Sequence, residues 1–126
     1  MSLQIIDKSY ETRKKTIKHR IMIAVETVNR TASETYLSLL RKSKHEYTNK
    51  YGITRIGIFG SVARGEQTEK SDVDICIEAP PMGLFAISGL CLTLEELLGT
   101  PVDIVRMHKN MNPQFRKRIE KDVIYV

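Results

Sequence analysis

The chain has 126 residues, with 20 Lys and Arg against 15 Asp and Glu for a net charge of +5. That length gives one domain a real core and leaves too little for a second. A composition 41% hydrophobic and 28% charged excludes a disordered tail. No apolar run approaches the ~20 residues a membrane span requires, and no signal-peptide pattern opens the chain. Cys76 and Cys91 lie in apolar stretches, which fits reduced core thiols of a cytoplasmic protein and not a disulfide-stapled secreted one.

The charge is uneven. Residues 1–50 carry 11 Lys and Arg against 5 Asp and Glu, whereas residues 51–126 carry 9 against 10. Arg13, Lys14, Lys15, Lys18 and Arg20 cluster in the basic part. Such a run is a nucleic-acid surface, a dock for an acidic partner, or the solvated face of an amphipathic helix. With no aromatics interleaved for base stacking, the solvated face is favoured and nucleic acid disfavoured.

From Glu11 to Asn29, Ile17, Ile21, Ala24, Val25 and Val28 fall on one helical stripe that needs cover from the domain or another chain. Thr31 and Glu34 match a capping box, which predicts a second helix from about Ala32 to Lys50 with Tyr36, Leu37, Leu40 and Tyr47 inward. Gly52 ends it. Ile53–Phe59 reads as a buried strand and Asp72–Glu78 as another. Leu84, Ile87, Cys91, Leu94 and Leu98 make a helix closed by Gly99, and Val102–Arg106 a third strand. Asn112-Pro113 opens a short helix with Phe115 and Ile119, and Val123–Val126 is a last strand. Alternating strands and helices predict an α/β domain, a mixed central sheet flanked by helices.

Chemistry concentrates in Gly60-Ser61-Val62-Ala63-Arg64-Gly65 and Ser71-Asp72-Val73-Asp74. A turn after a buried strand, with Gly60 lacking a Cβ, lets a ligand approach the backbone; a helix opened by Ser61 would aim N–H groups at a phosphate. By itself a Gly-Ser pair is most often only a turn. Asp72 and Asp74, two apart on a strand, leave the same face, and carboxylates so placed repel unless a cation lies between them. Their oxygens suit Mg²⁺ held together with substrate phosphates, although two solvent-facing acids at a strand edge are also common. Asp103 is a lone acid in the apolar run Pro101–Val105. It either joins the first two, as a metal ligand or as a base for an attacking hydroxyl, or forms a salt bridge with Arg106 or Arg55.

In this order and spacing, Gly60-Ser61-x-x-Arg64-Gly65, Ser71-Asp72-x-Asp74 and a later single Asp resemble the DNA-polymerase-β-type nucleotidyltransferases, and most closely the minimal nucleotidyltransferases. The likeness spans about residues 35–126, which sets a nucleotidyltransferase domain there and an N-terminal helical extension over 1–34. It implies Mg²⁺-dependent transfer of a nucleoside monophosphate, AMP from ATP, to a hydroxyl. It also implies Asp72, Asp74 and Asp103 as catalytic metal ligands, and Gly60 and Ser61 on the triphosphate. Arg64 would neutralise phosphate charge or brace the loop. Small members of the family act as antitoxins that AMPylate a tyrosine of a HEPN RNase toxin, so a HEPN-type toxin or a second copy is the expected partner. A non-catalytic antitoxin and a nucleic-acid-binding module that keeps the fold are the alternatives. His19, His45 and His108 lack ligand spacing and read as surface histidines. The basic run of Lys109, Arg116, Lys117 and Arg118 could reach phosphates or an acidic partner, though a solvated helix face is commoner.

Overall fold

The computed structural model describes the backbone of residues 3–126 and, within the first helix, the side chains of residues 17, 18, 20–22, 24 and from 32 onward. The elements in chain order are α1 (Leu3–Tyr51), β1 (Arg55–Phe59), α2 (Gly60–Ala63), β2 (Val73–Glu78), α3 (Leu84–Leu98), β3 (Val102–Arg106), α4 (Pro113–Asp122) and β4 (Ile124–Tyr125). The sheet order is β3-β2-β1-β4. β1 runs antiparallel to β2 and to β4, whereas β2 and β3 are parallel, joined by the α3 crossover. The expected mixed sheet with flanking helices is present.

Alternation along the strands sorts side chains to two faces. Ile56, Ile58, Val73, Ile75, Ile77 and Val102 join Leu40, Tyr47, Leu90 and Leu94 in a core beneath α1 and α3, with Tyr36 and Leu37 packed at its edge. Phe59 and Cys76 face the other way and meet Met107 and Ile119 under α4. β4 lies close against β1 because Gly57 has no side chain: a Cβ there would come 2.8 Å from Val123 Cγ2 and 2.9 Å from the Ile124 carbonyl.

Local signals placed the ends well. Gly99 closes α3 in the left-handed conformation, with its N–H donating to the Glu95 carbonyl. Asn112 Oδ1 accepts from the N–H groups of Gln114 (2.9 Å) and Phe115 (3.2 Å), with Pro113 first in α4. Replacing Asn112 with Ala should cost about 1 kcal/mol in denaturant unfolding, the usual loss for such a cap.

The expected helix start near Ala32 is corrected: α1 is one helix of 49 residues, about 73 Å long. Between Asn29 and Ala32 no Gly or Pro interrupts it, and a capping box acts only where the preceding backbone is extended. Contact with the domain is visible from Ser33, whose hydroxyl donates to the Val62 carbonyl at 2.6 Å. Ile17 and Ile21 are 56% and 58% exposed and Ala24 is exposed too, so these members of the stripe do not pack across the domain as one expectation had it. Val25 and Val28 lie outside the described side chains. So do Arg13, Lys14, Lys15 and His19. Among the described residues no helix is long and apolar enough to cross a membrane.

Candidate active site

The β1–β2 register sets Phe59 opposite Asp74, and the parallel β2–β3 register sets Asp74 opposite Asp103. The end of β1, Asp74 and Asp103 therefore lie in a row at one edge of the sheet. Asp74 shares the face of Cys76 and Phe59, away from the Val73-Ile75-Ile77 core. Asp72 comes just before β2 and not inside it, a correction to the expected strand over Asp72–Glu78. It is exposed, as is Asp103, whereas Asp74 is half-buried.

The three acids feel one another. Partial burial pushes the Asp74 carboxyl above its ordinary value, the negative charges of Asp103 and then Asp72 push it further, and Arg64 opposes them. The salt bridges considered for Asp103 do not form: Arg55 pairs with Glu78 at 3.7 Å, and Arg106 donates to the Ala79 carbonyl at 3.2 Å. Among the described residues no three His, Cys, Asp or Glu side chains are gathered into a ready-made metal cage. Mg²⁺ does not require one, since it is commonly held by one or two carboxylates plus substrate phosphates. The all-oxygen donor set of Asp72, Asp74 and Asp103 fits that hard cation.

Gly60 has a different constraint from the one its position after a strand suggests. Its φ is +73°, and a Cβ there would collide with Oδ2 of Asp74. The glycine therefore seats the carboxylate directly against the turn. α2 follows at once, with Phe59 as its N-cap and no side-chain cap, so its first N–H groups have no partner within the helix. The Ser61 carbonyl accepts from the Glu66 N–H at 2.8 Å, fixing the loop that leaves α2. Ser71, which spacing left open, accepts from the Thr68 N–H at 2.9 Å and braces the turn before Asp72.

Arg64 forks between two carboxylates, with Nε 3.0 Å from Glu66 and Nη1 2.6 Å from Asp122. Those two hydrogen bonds raise the guanidinium above its already high ordinary value. Asp122 lies 58 residues away at the end of α4, and no local pattern points to it. Arg64 thereby ties the loop after α2 to α4.

The chain belongs to the nucleotidyltransferase domain family, whose model matches residues 40–126. It is a nucleotidyltransferase, and the likeness to the minimal members of the family holds. A curated relative from Thermococcus cleftensis, the protein adenylyltransferase MntA, is 38% identical over 90 residues, covering 71% of this chain and 90% of its own. A solved structure provisionally assigned as a minimal nucleotidyltransferase is 36% identical with a TM-score of 0.53, and the match covers 79% of this chain and 93% of that one. A toxin–antitoxin complex solved with AMP-PNP shares the fold at a TM-score of 0.55 and 23% identity, over 74% of this chain and 70% of that one.

Proposed function

We propose that the chain transfers AMP from ATP to a hydroxyl of a partner protein, a HEPN-type toxin, in the cytoplasm. The observation that carries this reading is the row of Gly60, Asp74 and Asp103: a glycine turn seats one carboxylate directly against it, and strand register sets a second carboxylate next to the first. The curated relative's name, protein adenylyltransferase, supports both the nucleotide and the protein acceptor.

In this reading Gly60 and Ser61 hold the triphosphate through backbone N–H groups and the serine hydroxyl. Asp72 and Asp74 would hold Mg²⁺, with Asp103 completing the donor set. When bound, the cation would offset the charge of the phosphates and of the departing pyrophosphate. Asp103, exposed and in no ion pair with a described residue, meets the incoming acceptor and takes up its hydroxyl proton. The acceptor oxygen forms a bond to the α-phosphorus while the bond to the bridging α–β oxygen breaks, and pyrophosphate leaves. Arg64 braces the phosphate loop through Asp122. ATP labelled in turn at the α- and γ-phosphate tests the reaction: label should reach the partner only from the α position, and γ-label on the partner would identify a kinase instead.

Residues 35–126 form the transferase domain and residues 1–34 an extension that serves the partner or a second copy. The match of the family model to residues 40–126 supports that division. Deletion of residues 1–30 should weaken self-association or partner binding and leave Mg·ATP affinity unchanged, as isothermal titration can check. Loss of ATP binding in the shortened chain would mean the division is misplaced.

A further inference from the structure

Helix α4 carries a basic run that the site as described leaves without a role. Arg116 is accounted for by Glu120 at 2.9 Å and the His108 carbonyl at 3.3 Å. Arg118 and Lys121 instead line a cleft of about 390 Å³ with Phe59, Gly60, Phe115 and Arg64. Neither makes an ion pair with a described residue. Arg118 lies over the Phe115 ring, 5.7 Å from its centroid. Asp122 also borders the cleft, but its carboxylate is taken by Arg64 at 2.6 Å. Counting that neutral pair, the cleft keeps two positive charges, both on exposed side chains and set beside the Phe59 and Phe115 rings, and this surplus attracts an anion.

The position of the cleft decides which part of a nucleotide it faces. Along the sheet edge the order is Asp103, Asp74 and the end of β1, by strand register. The cleft is lined by Phe59 and Gly60 and by α4, at the end of this row away from Asp103. With the acceptor at Asp103 and the α-phosphate beside Asp74, the chain of phosphates runs past Gly60 toward α4.

We infer that Arg118 and Lys121 bind the β- and γ-phosphates of the nucleotide and then the pyrophosphate that leaves. This rests on the transferase reading above and adds two phosphate-positioning residues that the sequence motifs do not contain. The nucleobase would lie elsewhere, and the aromatic walls of the cleft would not stack a base.

Isothermal titration of the full chain with Mg·ATP, Mg·pyrophosphate and AMP provides the test, using Arg118→Ala, Lys121→Ala and, as a charge-matched control on α4 outside the cleft lining, Lys117→Ala. Each cleft variant should weaken ATP and pyrophosphate about five- to tenfold, the scale of one charge-assisted phosphate contact near a surface, and leave AMP unchanged. The Lys117 variant should match the wild type. Thermal unfolding of each variant verifies that it is folded, and the milder Arg118→Gln and Lys121→Gln replacements serve if an alanine variant is not. Variants that weaken AMP as much as ATP would make the cleft a nucleobase pocket and overturn the inference. Variants that bind all three ligands as the wild type does, or a Lys117 variant weakened equally, would overturn it too. A wild-type chain that binds neither ATP nor pyrophosphate would overturn the transferase reading itself, and this inference with it.

Discussion

Asp74→Asn is expected to cut nucleotidyl transfer on the order of 10³-fold, because one charged oxygen donor is lost where phosphate charge must be stabilised. The same substitution should leave the cation-free protein as stable as the wild type or slightly more so. The Asp74 carboxyl is held above its ordinary value first by partial burial and then by the charges of Asp103 and Asp72. The folded chain therefore binds this proton more tightly than the unfolded chain. The stability this contributes is full below the ordinary carboxylate value and is lost as pH rises through the raised folded value. Asparagine does not titrate, so the variant's advantage should be present near about pH 7 and gone near about pH 3. After screening by solvent it stays below about 1 kcal/mol, a shift of a few degrees at most in melting temperature for a chain of this size. Melting curves in EDTA at both pH values check the sign. An Asn variant less stable than the wild type at neutral pH would mean that Asp74 has a stabilising partner and not two repelling neighbours.

Gly60→Ala should damage the fold and the site together. The residue sits at φ +73°, and its new methyl group would meet the Asp74 carboxylate. Left-handed backbone costs an L-residue roughly 1–2 kcal/mol before that collision is counted, so a loss of about 2 kcal/mol or more is expected. Displacing Asp74 from the turn should lower transfer on the order of 100-fold, as small misplacements in active sites do. The pairing with Asp74 is separable from the backbone cost. In the double variant Gly60→Ala with Asp74→Ala, part of the stability should return while activity stays lost. Additive losses of stability would place the strain in the backbone alone.

Strands and most helix ends were legible because their signals are local. Gly99 in its left-handed cap and Asn112-Pro113 at the start of α4 state their roles within four residues. The dense β-branched run that ends at Phe59 marked a buried strand, and β1 is buried from Ile56 to Phe59. The continuity of α1 was not legible, since Thr31 and Glu34 spell a helix start whether or not the preceding backbone is extended. Of the site, the three acids and the glycine turn were readable as a set, but their relation was not: opposition of Asp74 and Asp103 is a matter of strand register. The need for glycine at position 60 comes from a side chain 14 residues later in the sequence. Arg64 could be read only as a loop cation, because Asp122, which holds it, arrives from the far end of the domain. The basic run of α4 was visible, but which of its members turn toward Gly60 depends on how that helix crosses the sheet.

The most direct measurement is the intact mass of a HEPN-type partner after incubation with ATP, Mg²⁺ and this chain, beside parallel reactions with Asp74→Asn and Asp103→Asn. The expected result is a gain of one or more AMP residues with the wild-type chain, release of pyrophosphate in equal amount, and no gain with either variant. A partner mass that stays unchanged with the wild-type chain, or rises equally with the Asn variants, would contradict a transferase built on these carboxylates.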